Sequence, residues 1–499
     1  MKKKVMLNIG CTMLCQLVTF ISGLIVPRLI LSTFGSEANG LVSSITQFLN
    51  YISLVEGGIG SVVLTALYGP LAKKDDRKIS SVLKAAENFF RQIASIFVFY
   101  TIALACVYPI VIKSSFSWLY VASLTVILSF TLFIQYFFSI TYKLLLQADQ
   151  KMYIVQLWHA LITLLNIIAV VAAIKIFPEL HFVKLCSVML FVIQPVAYSN
   201  YVKKHYKLYK DVESDKDSLA QRWACFGQNF AYFIHSNTDV VVLTLFSDLK
   251  AVSVYSVYLL VVKNLQSFFK AFSNAFNPII GKAIAVNDYK QANKYMKTYE
   301  FVVSNIATII FGCCIYLLPS FVLIYTHGVT DANYYRVFFS TIIILAEYIY
   351  CIREPYESVI YAAGKFKETS NSAYIEAIIN IVLSVILVFK YGLEGIAVGT
   401  FIGMLYRMIY WIWFINKYIM PYPISNIVKR LSLSIGTIMI SCLIVSVMDT
   451  TGSSTLILWV KNGVLCFAVF CAVTVILNLA FDKEPFLDIC KRAVSKRKG

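Results

Sequence analysis

The sequence predicts an all-α polytopic membrane protein with about fourteen transmembrane helices. Of its 499 residues, 59% are hydrophobic and only 14% are charged, whereas soluble domains are nearer half apolar and a quarter charged. Apolar runs recur along the whole chain, and one span needs about 20 such residues. A soluble fold with this composition would have to hide more apolar surface than its core can hold.

Short polar breaks separate the apolar runs and set the bounds of the predicted helices. The helices are predicted at 7–32, 39–68, 90–112, 117–145, 153–175, 181–201, 222–247, 251–279, 300–325, 335–362, 372–390, 394–416, 427–448 and 457–481. The longest predicted inside loop, 202–221, is too short for a folded domain outside the membrane.

The distribution of basic residues predicts the orientation. With the N-terminus inside and the spans alternating, 31 of the 44 Lys and Arg residues fall in inside segments and 7 in outside segments. Inside loops of membrane proteins carry this excess. We therefore expect a multi-pass membrane protein with both termini cytoplasmic.

The two halves of the chain repeat weakly at an offset of 212 residues. The residues that match in the first inside loop of each half are Gly69 with Gly281, Asp76 with Asp288 and Lys78 with Lys290. Six helices per half, in the same sense, indicate parallel repeats related by an axis along the membrane normal. We predict a six-helix lobe at 1–212, a second at 213–426, and two further helices with a basic cytoplasmic tail at 427–499.

Composition and spacing argue against several function classes. The net charge of +18 is explained by inside loops that face anionic lipid, and no nucleic-acid-binding motif is present, so no nucleic-acid partner is expected. The twelve Cys and five His show no metal-ligand spacing, and no phosphate-binding loop motif occurs. We expect no metal, no cofactor and no catalytic residue, and hence a protein that is not an enzyme.

Charged residues inside spans are costly and usually face a cavity or a partner. The basic candidates for binding an anionic substrate are Arg28, Lys263, Arg353 and Arg407. The acidic candidates for charge balance or ion coupling are Glu56, Asp239, Glu347 and Glu354. Arg suits phosphate because its planar fork makes paired contacts.

Ion pairing inside the protein is the alternative interpretation of the same charges. Arg28 would then pair with Glu56, and Asp239 with Lys263. Arg353 would pair with Glu354 or with Glu357 close to the inner loop. Gly395, Gly399 and Gly403 form a stripe on the predicted twelfth helix, which favours close helix packing.

Several stretches of the sequence resemble one known family. They are Arg-Glu-Pro-Tyr at 353–356, Ala-Gly-Lys-Phe-Lys at 363–367, Glu376 to Asn380, the glycine-containing stretch 392–400, and in the N-terminal half 40–51 and 56–60. They are similar to polysaccharide-export flippases of the multidrug/oligosaccharidyl-lipid/polysaccharide (MOP) superfamily. The resemblance extends over essentially the whole chain.

That resemblance implies a location in the bacterial cytoplasmic membrane and a function. Such flippases move undecaprenyl-diphosphate-linked oligosaccharides from the inner to the outer leaflet by alternating access, for capsule, exopolysaccharide or O-antigen synthesis. The implied partners are this lipid-linked sugar, membrane lipids, a polysaccharide polymerase and glycosyltransferases. Two alternatives stay open: a flippase for peptidoglycan or teichoic precursors, and a drug or cation exporter of the MATE type.

Overall fold

The computed structural model describes residues 2–56, 59–215, 237–448 and 455–483. Every regular element in those ranges is helical, which confirms the all-α class. Ten of these helices are long and apolar enough to cross a membrane, as expected for a polytopic membrane protein. The predicted helix 222–247 lies mostly outside the described residues, and its C-terminal part is the short apolar helix Asn237–Phe246.

The chain forms two compact units, Met1–Ser253 and Val254–Gly499. The helices that begin in the first unit are α1 (Lys2–Asn50), α2 (Ser53–Glu56), α3 (Ile59–Lys73), α4 (Asp76–Val111), α5 (Trp118–Ile134), α6 (Ile140–Ala148), α7 (Met152–Ile176), α8 (Leu180–Phe191), α9 (Ile193–His205), α10 (Asn237–Phe246) and α11 (Leu249–Ala285). Helix α11 continues into the second unit. The predicted boundary between sequence repeats, at 212, stays a prediction.

The second unit contains the remaining helices. They are α12 (Tyr289–Tyr325), α13 (Val337–Ile352), α14 (Glu354–Ala362), α15 (Phe366–Tyr391), α16 (Leu393–Tyr418), α17 (Ile424–Val447) and α18 (Leu456–Phe481). Helices α17 and α18 pack on α12 through a small core that includes Cys313, Val445 and Phe470. Thr308 on α12 also donates a hydrogen bond to Ser434 on α17, with 2.9 Å between the oxygens.

Gly35 separates two helical segments within α1. Its backbone has φ 84° and ψ 178°, a conformation open essentially to glycine alone. Just beyond it, the Glu37 carboxylate accepts hydrogen bonds from the amide (2.6 Å) and hydroxyl (2.7 Å) of Ser115. The break agrees with the predicted separation of helices 7–32 and 39–68. The hydrogen bonds of Glu37 connect this turn to the segment that follows α4.

A π-helical turn, Gln135–Ser139, joins α5 to α6 in one continuous span. Two cavities of the first unit meet it. Gln135 and Ser139 line one of about 410 Å³, and Phe137 and Phe138 line the other, of about 850 Å³. The turn thus directs polar and aromatic side chains to different spaces.

One turn geometry occurs at equivalent places in both halves. Lys74 and Asn287 both have φ 57°, and the following Asp75 and Asp288 cap α4 and α12 by accepting from the amide three residues on. The structure aligns Asp75, and not Asp76, with Asp288, because these two residues cap their helices and each follows the residue with positive φ. The sequence match is therefore wrong by one residue. The offset at this turn is 213.

A second pair of turns repeats later in the chain. Gln150 (φ 56°) precedes α7 and Gly364 (φ 68°) precedes α15, at an offset of 214. In each, the next residue donates its amide to a carbonyl five residues back, Lys151 to Leu146 (2.8 Å) and Lys365 to Ile360 (3.0 Å). Two turns of the chain thus recur in the same order, and the repeat itself stays a prediction.

Segments predicted to share a side of the membrane contact one another. Lys84, in the predicted inside segment 69–89, donates to the carbonyls of Lys210 (3.1 Å) and Val212 (2.8 Å) in the inside segment 202–222. On the predicted outer side of the second unit, Arg336 pairs with Glu394 at 3.4 Å. These contacts agree with the alternation of the spans, and the absolute side stays a prediction.

Candidate functional site

A cluster of buried charges lies in the second unit where α13, α15 and α16 meet. Arg353 occupies the junction between α13 and α14, with helical φ and ψ and its amide bonded to the carbonyl of Ile349. Pro355 stands at the start of α14, where its missing N–H is tolerated. The junction holds the Arg353 side chain inside the unit rather than at a loop.

Two arginines share one carboxylate. Arg353 Nη1 lies 2.6 Å from Glu376 Oε1, and Arg407 Nη1 lies 3.3 Å from Glu376 Oε2. The side chains of Arg353 and Glu376 are 5% and 4% exposed, and that of Arg407 is 11% exposed. Arg353 therefore makes the short, fully buried contact, while Arg407 makes the longer one and keeps some access.

Aromatic rings hold both guanidiniums. The guanidinium carbon of Arg353 lies 4.6 Å from the Tyr350 ring centroid and 5.2 Å from that of Trp411, and that of Arg407 lies 4.6 Å from Trp411. Cations over aromatic faces are stabilised by the ring quadrupole. Within the described part of the chain, Nε of both arginines and Nε1 of Trp411 have no hydrogen-bond partner. The cluster thus holds buried N–H donors for which the described residues supply no acceptor.

The glycine stripe of α16 brings these residues together. A Cβ on Gly399 would lie 2.5 Å from Ser384 Oγ, and one on Gly403 would lie 3.2 Å from the carbonyl oxygen of Glu376. Helix α16 can approach α15 this closely only because these side chains are absent. The predicted packing role of the stripe is confirmed, and the approach places Arg407 beside Glu376.

The expected pairing of Arg353 was wrong. Its ion pair is with Glu376, 23 positions along the chain, and not with Glu354 or Glu357. The Glu357 carboxylate acts on both guanidiniums as a more distant negative charge. Glu376 was not among the predicted site residues, and the signal that could have identified it was its position opposite the glycine stripe.

The other predicted residues belong to several different helices. Arg28 is partly buried in α1, Asp239 is buried in α10, Lys263 is partly buried in α11, and Glu347 and Glu354 are buried in α13 and α14. Arg28 and Asp239 belong to the first unit and the rest to the second. Glu56 ends α2, and its side chain lies outside the described residues. The roles predicted for these residues stay predictions.

A line of polar contacts, the polar seam, joins the second segment of α1 to α10 and the start of α11 within the first unit. Asn39 donates to Ser253 Oγ at 2.8 Å, and Ser44 and Thr244 share a hydrogen bond at 2.6 Å. Further along, the Gln47 amide bonds to Asn237. Helix contacts made through side-chain hydrogen bonds, rather than interlocked apolar groups, can exchange with water when they separate. The sequence analysis did not predict this seam.

Comparisons with known proteins agree on the fold. The MatE family model matches residues 224–386. A structure of the lipid II flippase MurJ, in an inward closed conformation, is 16% identical, with a TM-score of 0.69, and the match covers 92% of this chain and 98% of that one. No curated protein sequence matches the chain.

Two MATE transporters are also similar. The eukaryotic MATE transporter AtDTX14 is 11% identical, with a TM-score of 0.59 and coverage of 87% of this chain and 98% of that one. An inward-facing MATE family transporter of the MOP superfamily is 14% identical, with a TM-score of 0.55 and coverage of 82% and 96%. The chain therefore has the fold shared by the lipid II flippase MurJ and the MATE transporters of the MOP superfamily.

Proposed function

We propose that this protein is a flippase that carries an undecaprenyl-diphosphate-linked oligosaccharide from the inner to the outer leaflet by alternating access. The observation that carries the proposal is the surplus of cationic donors around Glu376, where two guanidiniums share one carboxylate. The similarity to the lipid II flippase, which covers a larger share of this chain than the MATE transporters do, supports a lipid-linked sugar as cargo.

Arg407 is the residue of this cluster that fits a phosphate. Its contact with Glu376 is the longer one, its side chain is the more exposed, and its Nε has no partner among the described residues. An unpaired charge in a low-dielectric interior is costly. A diphosphate that replaces Glu376 as the partner of Arg407 creates no such charge, because Glu376 keeps Arg353. The exchange allows binding without making release slow.

Arg28 and Lys263 are proposed to meet the same substrate from the two sequence repeats. A substrate that bridges them senses the relative position of the lobes, so its binding can bias the conformational equilibrium. Arg28→Ala and Lys263→Ala are each expected to abolish export with normal membrane abundance, and Arg28→Lys to restore it only in part.

The test is complementation of a strain that lacks its own oligosaccharide flippase, with protein abundance measured in parallel. Full export by both alanine variants would remove these residues from the site. Loss of protein together with loss of export would favour a structural ion pair. Glycosyltransferase genes beside the coding gene are a further expectation of the proposal.

Alternating access requires the polar seam to open, because the predicted repeat assigns α1 to the first half and α10 to the second. The pair Ser44→Cys and Thr244→Cys replaces two hydroxyls 2.6 Å apart, a spacing that a disulfide accommodates. Oxidation of this double variant is expected to abolish export, and reduction to restore it.

A matched control pair lies inside the second unit. Thr308 and Ser434 are also hydroxyl residues on neighbouring helices, 2.9 Å apart. Their double cysteine variant is expected to cross-link without loss of export, since α12 and α17 are not proposed to separate. Full export by a completely cross-linked Ser44–Thr244 variant would contradict the opening of the seam.

A MATE-type drug or cation exporter is the second candidate, and the MatE family match favours it. Buried acids such as Asp239 and Glu347 suit a cationic cargo. Cells that express the protein would then accumulate less of a cationic fluorescent dye, and Asp239→Asn would abolish that difference. A flippase for peptidoglycan or teichoic precursors shares the lipid diphosphate, so complementation of strains defective in each pathway distinguishes it.

A further inference from the structure

A second basic site lies apart from the charge cluster, at the predicted inner ends of α12, α17 and α18. It is a cavity of about 840 Å³ within the second unit. Its lining residues come from three parts of the chain that lie at or beside predicted cytoplasmic ends of helices: 290–300, 422–430 and 480–483. Neither the proposed function nor the comparisons assign a role to this cavity.

The cavity wall is strongly cationic. Six basic and two acidic side chains line it; the basic ones are Lys290, Lys294, Lys297, Lys429, Arg430 and Lys483. The formal charge of the wall is thus +4 when the acids are ionised. Clustered like charges repel one another, and an anion bound between them relieves that repulsion.

Both acids already have partners. Asp482 pairs with Lys429 at 2.8 Å and with Arg430. Glu300 accepts hydrogen bonds from Tyr356, at 2.8 Å, and from Tyr422. Burial, followed by the nearby Glu300 charge, raises the pKa of Tyr422, so its hydroxyl stays protonated and remains a donor. Glu300 is also acted on by the nearby positive charges of Arg430 and Lys297, but the close ion pairs of the two acids are those of Asp482 with Lys429 and Arg430.

The lysines of α12 are those available to a ligand. Lys290, Lys294 and Lys297 follow one another at helical spacing and line the same cavity. In the described ranges of the chain, none of the three has an acidic side chain within ion-pair distance. The first turn of α17 also borders the cavity and has no side-chain cap, so its amide groups add positive potential.

The rim of the cavity is apolar and faces outward. Phe481 and Ala480 line it, and Phe481 is 64% exposed. Exposed apolar side chains continue along α17 and α18, among them Val428 (56%), Ile435 (57%) and Ile476 (62%). On a membrane-spanning helix this surface faces acyl chains, so a ligand held here can keep its phosphate in the cavity and its tail in lipid.

We propose that this cavity binds the phosphate-bearing headgroup of an anionic lipid in the inner leaflet. Basic cavities between transmembrane helices on the cytoplasmic side suit such headgroups. The ligand is an anionic phospholipid or a polyprenyl diphosphate, since both present phosphate oxygens at this depth. The inference does not depend on what the protein exports, because it concerns binding at a site apart from Arg407.

Native mass spectrometry of the full chain in detergent tests the proposal. The probes are dioctanoyl phosphatidylglycerol, dioctanoyl phosphatidylcholine, undecaprenyl diphosphate and inorganic pyrophosphate. The test variant changes Lys290, Lys294 and Lys297 to Gln. The matched control changes three exposed lysines of other inside segments to Gln, namely Lys73, Lys204 and Lys207, and so loses the same charge.

We expect the wild type and the control to retain one anionic lipid that the test variant binds at least about tenfold more weakly. Preference for phosphatidylglycerol identifies a phospholipid site, and preference for undecaprenyl diphosphate identifies a polyprenyl diphosphate site. Equal lipid binding by the test variant and the control would overturn the proposal. Pyrophosphate binding as tight as lipid binding would also overturn it, by indicating a site for soluble anions.

Export by the test variant, measured separately, keeps this proposal distinct from the proposed function. Loss of lipid binding with normal export leaves the flippase proposal intact and makes the cavity a structural lipid site. Normal lipid binding by a wild-type protein that fails complementation leaves the cavity assignment intact.

Discussion

Replacement of each arginine of the charge cluster by Met separates its structural role from substrate binding. Removing one partner from a buried ion pair usually costs about 3–5 kcal/mol. Arg353→Met removes the 2.6 Å contact and leaves Glu376 with only the longer contact to Arg407. We therefore expect the free energy of unfolding to fall by about 3–5 kcal/mol. Arg407→Met removes only the 3.3 Å contact from a partly exposed side chain, and we expect a loss of about 1–2 kcal/mol.

Thermal unfolding in detergent measures this difference. A thiol-reactive fluorescent dye reports the exposure of buried cysteines such as Cys351, so no label is needed. Export is measured on the same variants by complementation and normalised to protein abundance. We expect Arg407→Met to unfold at a temperature close to that of the wild type. Its export rate should fall by more than about tenfold, which corresponds to a barrier change of about 1.4 kcal/mol. Arg353→Met should lose both stability and abundance.

Two results would refute this reasoning. If Arg407→Met destabilises the protein as much as Arg353→Met does, the two ion pairs contribute equally to stability and the cluster has a structural role. If Arg407→Met is stable and exports normally, Arg407 does not bind the substrate. Glu376→Gln is a further check, because it leaves both guanidiniums facing a neutral amide and should cost more than Arg407→Met.

Two further predictions concern packing and topology. Gly399→Ala places a Cβ 2.5 Å from Ser384 Oγ and should lower the free energy of unfolding by about 1–3 kcal/mol. The control is Gly281→Ala, because the nearest atom to a Cβ on Gly281 is 3.8 Å away. This control should have little effect in the same thermal unfolding assay. Reporter fusions after Lys210 and after Lys498 should both give cytoplasmic signals, and an external signal at either position would contradict the orientation drawn from the basic residues.

The class of the fold was predictable because membrane insertion depends on bulk composition. Helix ends were less predictable. The predicted helix 39–68 leaves the helical path at Tyr51 and Ile52, where no Gly or Pro gives a signal. The break at Gly35 was predictable, because a polar, glycine-containing segment separates two apolar runs there.

The candidate site was only partly predictable. Arg353 and Arg407 were identified because charges inside apolar helices stand out against their surroundings. Their shared partner was not, because local spacing favoured Glu357, which lies four positions after Arg353. That spacing predicts a contact only within one continuous helix, and Arg353 lies at a junction between two. Close packing of α15 on α16 decided the pairing, and such packing depends on tertiary contacts.

The π turn at Gln135–Ser139 makes the length of this span adjustable. A π turn holds one residue more than the same stretch of α-helix, so the surplus residue is confined to a single turn. Deleting one residue there restores a regular helix while α5 and α6 keep their faces toward their neighbours. The same deletion elsewhere in the span would rotate every later side chain by about 100°. Natural variants that are one residue shorter in this span should therefore lack a residue at this turn. In such variants the polar and aromatic side chains of the turn should no longer be divided between the two cavities.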